Sequence, residues 1–214
     1  MSRAASPTIA NPVVLVRHAA TSWTGRRWCG RADPPLTAAG RIAARQLAID
    51  LHAELGPRAG WTADARPIAL LVSPARRARQ TVAPVTAAFG VEAVVEADLV
   101  EVDVGEAEGF DWPTLGTRFP EVAAAIGQGI QPDWPGGETR ADVARRATRA
   151  VERIRATATA GPVIVVAHGA ILHAIAVQLI GDGRAREGLG PAAWLRLDPE
   201  HADARQAEPL SAAP

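Results

Sequence analysis

Short apolar runs alternate with longer segments of helical spacing along this chain. Runs at residues 13–16, 68–72 and 91–95 are apolar on both faces, which is typical of strands buried inside a sheet. A fourth run opens the apolar stretch 162–181, and a short last strand is expected at 194–197. The pattern therefore predicts five strands, each too short to be a typical helix.

Three longer segments show helical spacing. The first begins after Thr37, which stands at an N-cap position, and ends at Gly56-Pro57. A second helix opens at Ser73-Pro74, with proline in its first turn, and a long helix covers about 139–158. The broad apolar stripe of the first helix consists of Ile42, Leu47, Ile49, Leu51 and Leu55.

Strands that alternate with helices predict an α/β fold, here a three-layer α/β/α sandwich with a mostly parallel central sheet. Residues 101–137 look irregular, with many Gly, Pro, Trp and acidic residues, and are longer than most connections. We expect a small cap segment at about 102–137. One domain over 13–198 would then follow a flexible lead (1–12) and precede a flexible tail (199–214), and residues 57–67 would form a linker.

Composition narrows the function. The 23 basic and 23 acidic residues cancel, so no global field attracts nucleic acid or an anionic membrane. All 23 basic residues are arginines, which excludes lysine Schiff bases and a P-loop lysine. Cys29 is the single cysteine and cannot form an internal disulfide, so a reducing, cytoplasmic location is expected. Residues 1–12 contain no apolar signal-peptide core.

The apolar stretch 162–181 is about as long as a membrane span. His168-Gly169 interrupts it midway, after a β-branched run and before a run of helical character. A buried strand that turns into a helix explains this order better than a membrane segment.

The candidate catalytic residues stand just after the predicted strands. Arg17-His18 ends the first strand and His168 ends the fourth, and ligands of open α/β sheets bind beyond the carboxyl ends of strands. Residues 73–81 follow another strand and carry three arginines within four positions, of which one can point back at the strand ends. Residues 99–109 carry four carboxylates, and a protonatable Glu beside an anion site can act as a general acid.

These segments together resemble the histidine phosphatase superfamily, the phosphoglycerate mutase-like family, from about Val13 to Gly181. The Arg-His motif is matched by Arg17 to Thr24, the GxxDxPLTxxG pattern by Gly30 to Gly40, and the SxxxRAxQT pattern by Ser73 to Thr81. The LxExxxGxxEG pattern is Leu99 to Gly109, a PGGE[ST] segment is Pro135 to Thr139, and the second histidine is His168-Gly169. Six motifs in the family's order make the resemblance specific.

The sequence departs from the family pattern at several places. Ala19 replaces a glycine, Thr24 stands where asparagine is usual, and the loop to Gly30 is about one residue short. His173 falls where many members carry arginine. These departures concern substrate choice more than the central chemistry.

The resemblance implies a phosphohistidine mechanism. Neutral His18, with an unperturbed pKa of about 6.5, attacks phosphorus, and Arg17 and Arg77 offer guanidinium forks to phosphate oxygens. Glu101 protonates the leaving group, which near neutral pH requires a pKa raised from about 4.3. His168, as donor or cation, completes the anion pocket. Phosphate or substrate contacts are expected from Thr21, Thr24, Cys29, Gly30 and Gly169.

The sequence thus predicts a phosphatase that hydrolyses a small-molecule phosphomonoester and releases inorganic phosphate, with no metal ion and no cofactor. A cofactor-dependent phosphoglycerate mutase is the alternative enzyme, although mutases of the family tend to have longer capping segments. A phospho-ligand binding module with negligible turnover is the alternative of another class. Sugar phosphates, phosphoglycerates, ribazole phosphates and phosphoproteins all stay open as substrates. A homodimer is compatible with the sequence, which does not decide the oligomeric state.

Two side-chain sets have competing interpretations. Cys29 could pair with a histidine as a nucleophile, but no orienting acid or helix start surrounds it. Tryptophans usually anchor packing, yet four of them flank the motifs and could roof a pocket for an apolar or ring-bearing leaving group. These four are Trp23, Trp28, Trp112 and Trp134.

Overall fold

A five-stranded sheet forms the centre of the described part of the chain. The structure is a computed structural model that describes residues 9–56, 68–180 and 189–199. The strands lie in the order β3-β2-β4-β1-β5; β5 is antiparallel to β1, and the other neighbouring pairs are parallel. This arrangement confirms the mostly parallel sheet. The strands are β1 (Val13–Arg17), β2 (Ala69–Val72), β3 (Ala93–Val95), β4 (Val163–Ala167) and β5 (Trp194–Leu197).

Helices cover both faces of this sheet. In β1, Val14 and Val16 face the core under α1 and α2, whereas Val13 and Leu15 face the core under α5 and α6. Because successive residues of a strand point to opposite faces, this alternation defines three layers and confirms the predicted sandwich. The helices are α1 (Ala38–Leu55), α2 (Arg76–Phe89), α3 (Trp112–Arg118), α4 (Pro120–Gly127), α5 (Arg140–Thr157) and α6 (Gly169–Ile180).

Helix boundaries follow local chemistry. The hydroxyl of Thr37 accepts the N–H of Gly40 at 2.9 Å, and Thr139 forms a reciprocal capping box with Asp142. Both caps confirm predicted helix starts. Helix α2 begins at Arg76, three residues after the predicted start at Ser73-Pro74.

The apolar stripe predicted for α1 is wrong at two positions. Ile42 and Ile49 are 60% and 62% exposed, while Leu47, Leu51 and Leu55 are buried. At 3.6 residues per turn the three leucines share one face and the two isoleucines fall on the other. The buried face is completed by the small residues Gly40, Ala44 and Ala48.

Residues 101–137 are less irregular than the sequence suggests, because α3 and α4 lie within them. The Asp111 carboxylate accepts the N–H of Thr114 at 2.9 Å and caps α3, which has Pro113 in its first turn. Helix α4 begins at Pro120.

Residues 9–12, assigned to a flexible lead from the sequence, are anchored in the structure. Ile9 is 3% exposed, the Asn11 amide donates to the carbonyl of Ala158 at 2.7 Å, and the carbonyl of Pro12 accepts from Val163. Residues 1–8, the predicted linker 57–67 and residues 200–214 of the predicted tail lie outside the described residues.

Candidate active site

The two strand-end histidines meet at one edge of the sheet. Strands β1 and β4 are parallel neighbours with Arg17 opposite Ala167, so His18 and His168 leave the sheet side by side. Their ring centroids lie 5.1 Å apart, edge to face, and the side chains are 7% and 0% exposed. The two imidazoles are therefore direct neighbours, as the strand ends led us to expect.

A single arginine donor bridges the two imidazoles. The Arg77 Nε–H points to His18 Nε2 at 3.3 Å and to His168 Nδ1 at 3.1 Å. Because an arginine nitrogen only donates, both ring nitrogens must offer a lone pair in this arrangement. Arg77 is 1% exposed, so this interaction is shielded from water.

The terminal nitrogens of Arg77 bind the protein itself. They donate to the carbonyls of Ala32 at 2.7 Å and Gly30 at 3.1 Å, and one pairs with Asp33 at 3.2 Å. The fork expected to face phosphate is therefore engaged with the loop 30–33. In this state Arg77 aligns the histidines and holds the loop.

Further hydrogen bonds fix the histidine tautomers. His18 Nδ1 lies 2.8 Å from the carbonyl of Ala19 and must donate there, which leaves the lone pair on Nε2. His168 Nε2 lies 2.7 Å from the Ser73 hydroxyl, to which it donates because its Nδ1 accepts from Arg77. Both imidazoles are neutral in this network.

Burial reinforces the neutral state. Loss of hydration, aided by the charges of Arg77 and Arg17, lowers the pKa of His18 to about 3, although its bond to Ala19 opposes the shift. Burial also lowers the pKa of His168 well below its ordinary value, again aided by Arg77. At neutral pH, His18 therefore has the protonation state that a nucleophile needs.

Arg17 supplies an unpaired donor beside His18. One terminal nitrogen donates to the carbonyl of Leu189 at 2.8 Å, but the buried Nε has no hydrogen-bond partner among the described residues. Desolvation lowers the pKa of this guanidinium, against the opposing charge of Glu101. A Cβ on Gly169 would lie in ordinary contact, 3.6 Å from the guanidinium, so the start of α6 packs directly beside Arg17. An anion would satisfy the orphaned donor.

Glu101 lies at the start of α6, close to Arg17. Its carboxylate accepts the N–H groups of Ala170 at 3.3 Å and Ile171 at 3.2 Å, where the helix N-terminus favours negative charge. The N–H of Val102 is a third donor, at 2.9 Å. This places a carboxyl group in the wall of the same cavity as His18.

The cavity has a volume of about 390 Å³. Its wall includes most of the sequence-predicted residues, whereas Arg77, His168 and Gly30 lie behind it. Besides Trp23, Trp28, Trp112 and Phe110, the wall contains Gly25, Arg26, Arg27 and Ala170. The predicted residues in the wall are Arg17, His18, Thr21, Thr24, Cys29, Glu101 and Gly169.

Gly30 supports the wall from behind. Its N–H donates to Glu108 at 3.0 Å and its carbonyl accepts from Arg77, so both backbone groups are bonded within the protein. A Cβ here would lie 2.5 Å from the carbonyl of Val102, which explains why a glycine is required.

The hydroxyls of Thr21 and Thr24 and the thiol of Cys29 in the cavity wall already form hydrogen bonds within the protein. Thr21 and Thr24 are 3.2 Å apart at their hydroxyls, and the Thr24 hydroxyl also accepts the N–H of Thr21, so the pair stabilises its own turn. The Cys29 thiol donates to the carbonyl of Ala32 at 3.2 Å, and burial raises its pKa to about 11. A protonated thiol argues against the Cys-His nucleophile interpretation.

Sequence reasoning missed a buried ion pair that supports Glu101. Arg146 on α5 binds the Glu138 carboxylate at 2.7 and 2.8 Å and also donates to the carbonyls of Asp98 and Val100. Glu138 in turn accepts the N–H of Asp103 at 2.8 Å. These bonds lower the pKa of Glu138 although its burial opposes the shift. Its place in the PGGE[ST] segment was a usable signal.

The 73–81 motif also supplies more than Arg77. Ser73 orients His168, the hydroxyl of Thr81 accepts the N–H of Ala19 at 3.0 Å, and Gln80 accepts the N–H of Leu36 at 2.9 Å. The 73–81 motif therefore holds the loops that contain Ala19 and Leu36.

The described residues hold neither a metal-ligand cluster nor a helix suited to a membrane. No group of three or more His, Cys, Asp or Glu side chains is placed to hold a metal ion in the described ranges. None of the helices described is both long enough and apolar enough to cross a membrane.

Comparison with known proteins gives a consistent family. A family model described as the histidine phosphatase superfamily (branch 1) matches residues 13–207. A bifunctional protein of Mycobacterium tuberculosis is 34% identical over 158 residues, which cover 73% of this chain but only 40% of that protein. The metal-independent phosphoserine phosphatase of Arabidopsis thaliana is 31% identical over 171 residues, covering 78% of this chain and 68% of that one.

A solved structure matches over a larger share of the chain. The mycobacterial glucosyl-3-phosphoglycerate phosphatase superposes with a TM-score of 0.72 at 28% sequence identity. The match covers 88% of this chain and 93% of that one.

Proposed function

The chain belongs to the histidine phosphatase superfamily, and we propose that it hydrolyses a small-molecule phosphomonoester through a phosphohistidine at His18. The observation that carries the proposal is the state of His18: a neutral imidazole, with Nε2 unprotonated and accepting from Arg77, in the wall of a cavity that Arg17 and Glu101 also line. Relatives named as phosphatases support the same reaction class.

In the first half-reaction, His18 Nε2 forms a bond to phosphorus while the bond from phosphorus to the ester oxygen breaks. The Nδ1–H bond to the carbonyl of Ala19 stabilises the positive charge that the imidazole acquires. Glu101 gives its proton to the departing alkoxide. The phosphoryl group is then on His18 and the alcohol is free.

Charge on the transferring group is balanced by fixed donors. Arg17 and Gly169, at the start of α6, line the cavity, and the Arg17 Nε–H has no partner among the described residues. His168 donates to a phosphoryl oxygen only when its Nδ1 carries a proton, which requires that the Arg77 Nε–H no longer point to it. Thr21 and Thr24 add hydroxyl donors at the wall.

In the second half-reaction, the Glu101 carboxylate takes a proton from water as the oxygen of that water attacks phosphorus. The bond from phosphorus to His18 breaks, inorganic phosphate leaves, and Glu101 is protonated again for the next cycle. No step of this sequence needs a metal ion. The cavity is open to water at its rim, where Trp112 is 51% exposed, which favours hydrolysis over phosphoryl retention by a mutase.

The test is phosphate release from p-nitrophenyl phosphate in EDTA, with wild type, His18→Ala and the control His52→Ala. We expect the His18 variant to lose on the order of 10³-fold or more in kcat, because the nucleophile is gone. His52 is exposed and lies on α1, so its variant should keep wild-type activity. Activity retained in His18→Ala would overturn the proposal.

A second readout separates the alternatives. A phosphatase should form an acid-labile phosphoenzyme on His18 and should release phosphate faster than it converts 3-phosphoglycerate in the presence of a bisphosphoglycerate primer. Faster isomerisation would favour the mutase, and phosphate binding without turnover would favour the binding module. The cytoplasmic location stays a prediction, and the oligomeric state, for which the sequence allows a homodimer, stays open.

A further inference from the structure

We propose that the outer part of the cavity is a leaving-group subsite for a planar ring that carries a second anionic group. This inference rests on the proposed phosphatase function and names the substrate class of that site. It comes from the side chains of the wall that the reaction itself does not use.

Aromatic rings form one side of this subsite. Trp28 and Trp112 pack edge to face with centroids 4.8 Å apart, and Trp23 and Phe110 belong to the same wall. Trp112 is 51% exposed although it stands at the capped, rigid start of α3. A large ring held in the open beside a cavity offers its surface to a flat ligand.

Two cations accompany the rings. Arg26 and Arg27 are exposed and line the cavity, and Arg27 lies 5.9 Å from the centroid of the Trp23 ring. No ion pair in the described ranges involves either guanidinium, although Arg27 donates to the carbonyl of Gly109 at 3.2 Å. Arg27 also lies near the Asp111 carboxylate, whose pKa is lowered by the hydrogen bonds from Thr114 and by the charge of Arg27, so Arg26 is the guanidinium more available to a ligand.

A simple phosphate ester has no second negative group that could pair with Arg26 and Arg27. Arg17, His18 and the first residues of α6, Gly169 and Ala170, already line the cavity at the proposed nucleophile. Arg26 and Arg27 are additional, and guanidinium groups suit carboxylate or phosphate oxygens. A second anionic group on the leaving alcohol would make use of them.

The space fits a leaving group larger than a three-carbon acid. A second cavity, of about 580 Å³, shares Trp23, Arg26, Arg27 and Phe110 with the catalytic cavity. The shared side chains thus stand between two neighbouring spaces. Trp112 and both arginines line the catalytic cavity, so a ring-bearing leaving group there has all three side chains around it.

Four alkyl phosphates with primary-alcohol leaving groups test the inference. Ethyl phosphate has neither feature, 3-phosphoglycerate has the anion, benzyl phosphate has the ring, and 4-carboxybenzyl phosphate has both. We expect kcat/KM to be highest for the last, by roughly tenfold over benzyl phosphate, as one charge-assisted contact provides. Equal values across the four would overturn the inference.

Variants show which side chains produce the preferences for the carboxylate and for the ring. Arg26→Gln should remove the roughly tenfold carboxylate advantage and leave the ratio of benzyl to ethyl phosphate unchanged. Trp112→Leu should reduce the advantage of the ring, and Trp112→Phe should restore part of it. The control Arg45→Gln removes the same charge from the exposed side of α1 and should change neither ratio. An equal effect of Arg26→Gln and Arg45→Gln would contradict the subsite.

Binding measurements keep the subsite testable apart from turnover. Benzylphosphonate and 4-carboxybenzylphosphonate, which cannot be hydrolysed, are titrated into wild type and Arg26→Gln by calorimetry. Tighter binding of the carboxylated ligand by wild type alone supports the subsite even if no ester is hydrolysed, which would count only against the proposed function. Equal affinities would overturn the subsite even where all four esters are hydrolysed.

Discussion

At the scale of single residues, the site depends on how one guanidinium donor keeps two imidazoles neutral. Arg77 Nε–H lies between His18 Nε2 and His168 Nδ1, and each ring donates its other N–H to an acceptor behind it. A proton on either facing nitrogen would meet the arginine charge at a buried position. The arrangement therefore ties the protonation of His18 to the folded state.

This coupling makes the stability depend on pH. The folded pKa of His18 is about 3, below the unfolded value of about 6.5, so the unfolded chain binds the extra proton between these values. Stability is full above pH 6.5 and falls as the pH decreases toward 3. We expect His18 alone to lower the free energy of unfolding by about 2 kcal/mol between pH 7 and pH 5.

The measurement is urea unfolding at both pH values for wild type, His18→Gln and His52→Gln. The difference between pH 7 and pH 5 should shrink by about 2 kcal/mol in His18→Gln and stay at the wild-type value in His52→Gln, because His52 is exposed. An unchanged difference in His18→Gln would show that His18 titrates normally in the folded protein.

At the scale of secondary-structure elements, α5 determines where the acid stands. Arg146 joins this helix to the segment around Glu101, through the carbonyls of Asp98 and Val100 and through the carboxylate of Glu138. The side chain is only 7% exposed, so water does not replace these bonds. Arg146 is thus a positioning residue for Glu101 rather than a group that touches substrate.

Arg146→Met should therefore affect the steps that need the acid. We expect kcat for benzyl phosphate to fall on the order of 10²-fold, as a misplaced catalytic group does. The loss should be smaller for p-nitrophenyl phosphate, whose leaving group needs little protonation. Arg145→Met is the matched control, since Arg145 is exposed on the same helix and pairs only with Asp142 among the described ion pairs.

A second variant separates positioning from stability. Arg146→Met leaves Glu138 with only the longer ion pair to Arg31, at 3.6 Å, and should cost roughly 3 kcal/mol, much of which Glu138→Met in the same chain should restore. The kcat for benzyl phosphate should stay low in the double variant, because the carbonyls of Asp98 and Val100 still lack their donor. Recovery of kcat together with stability would mean that Arg146 acts only through the fold.

The elements themselves show what the sequence could predict. Strands β1 and β4 could be predicted because their residues are apolar on both faces. The helix starts at Thr37 and Thr139 could be predicted because capping depends on nearby residues in the chain. The exposure of Ile42 and Ile49 could not be predicted, because tertiary contacts decide which face of α1 packs on α2. The choice between Arg145 and Arg146 as the buried arginine has the same origin.

At the scale of the whole molecule, the candidate site joins segments that are far apart in the chain. Its parts come from the end of β1, the start of α2, the loop with Glu101 and the start of α6. The motifs predicted that these segments belong together, because parallel strands bring their carboxyl ends to one edge. They could not predict that Arg77 turns its terminal nitrogens to the loop 30–33, which depends on how that loop closes over α2.

A ligand that contacts several of these segments should stabilise the whole fold. Inorganic phosphate, the proposed product, is expected to satisfy the buried Arg17 Nε–H, which has no partner in the described structure. Because unfolding destroys the site, phosphate at 100 times its Kd should raise the free energy of unfolding by about 2.7 kcal/mol. The increment is the difference between the free energies of unfolding measured with urea in the presence of phosphate and in a buffer of equal ionic strength that contains neither phosphate nor sulfate. The increment should be strongly reduced in Arg17→Gln and retained in Arg45→Gln, and an equal increment in both variants would place the phosphate elsewhere on the molecule.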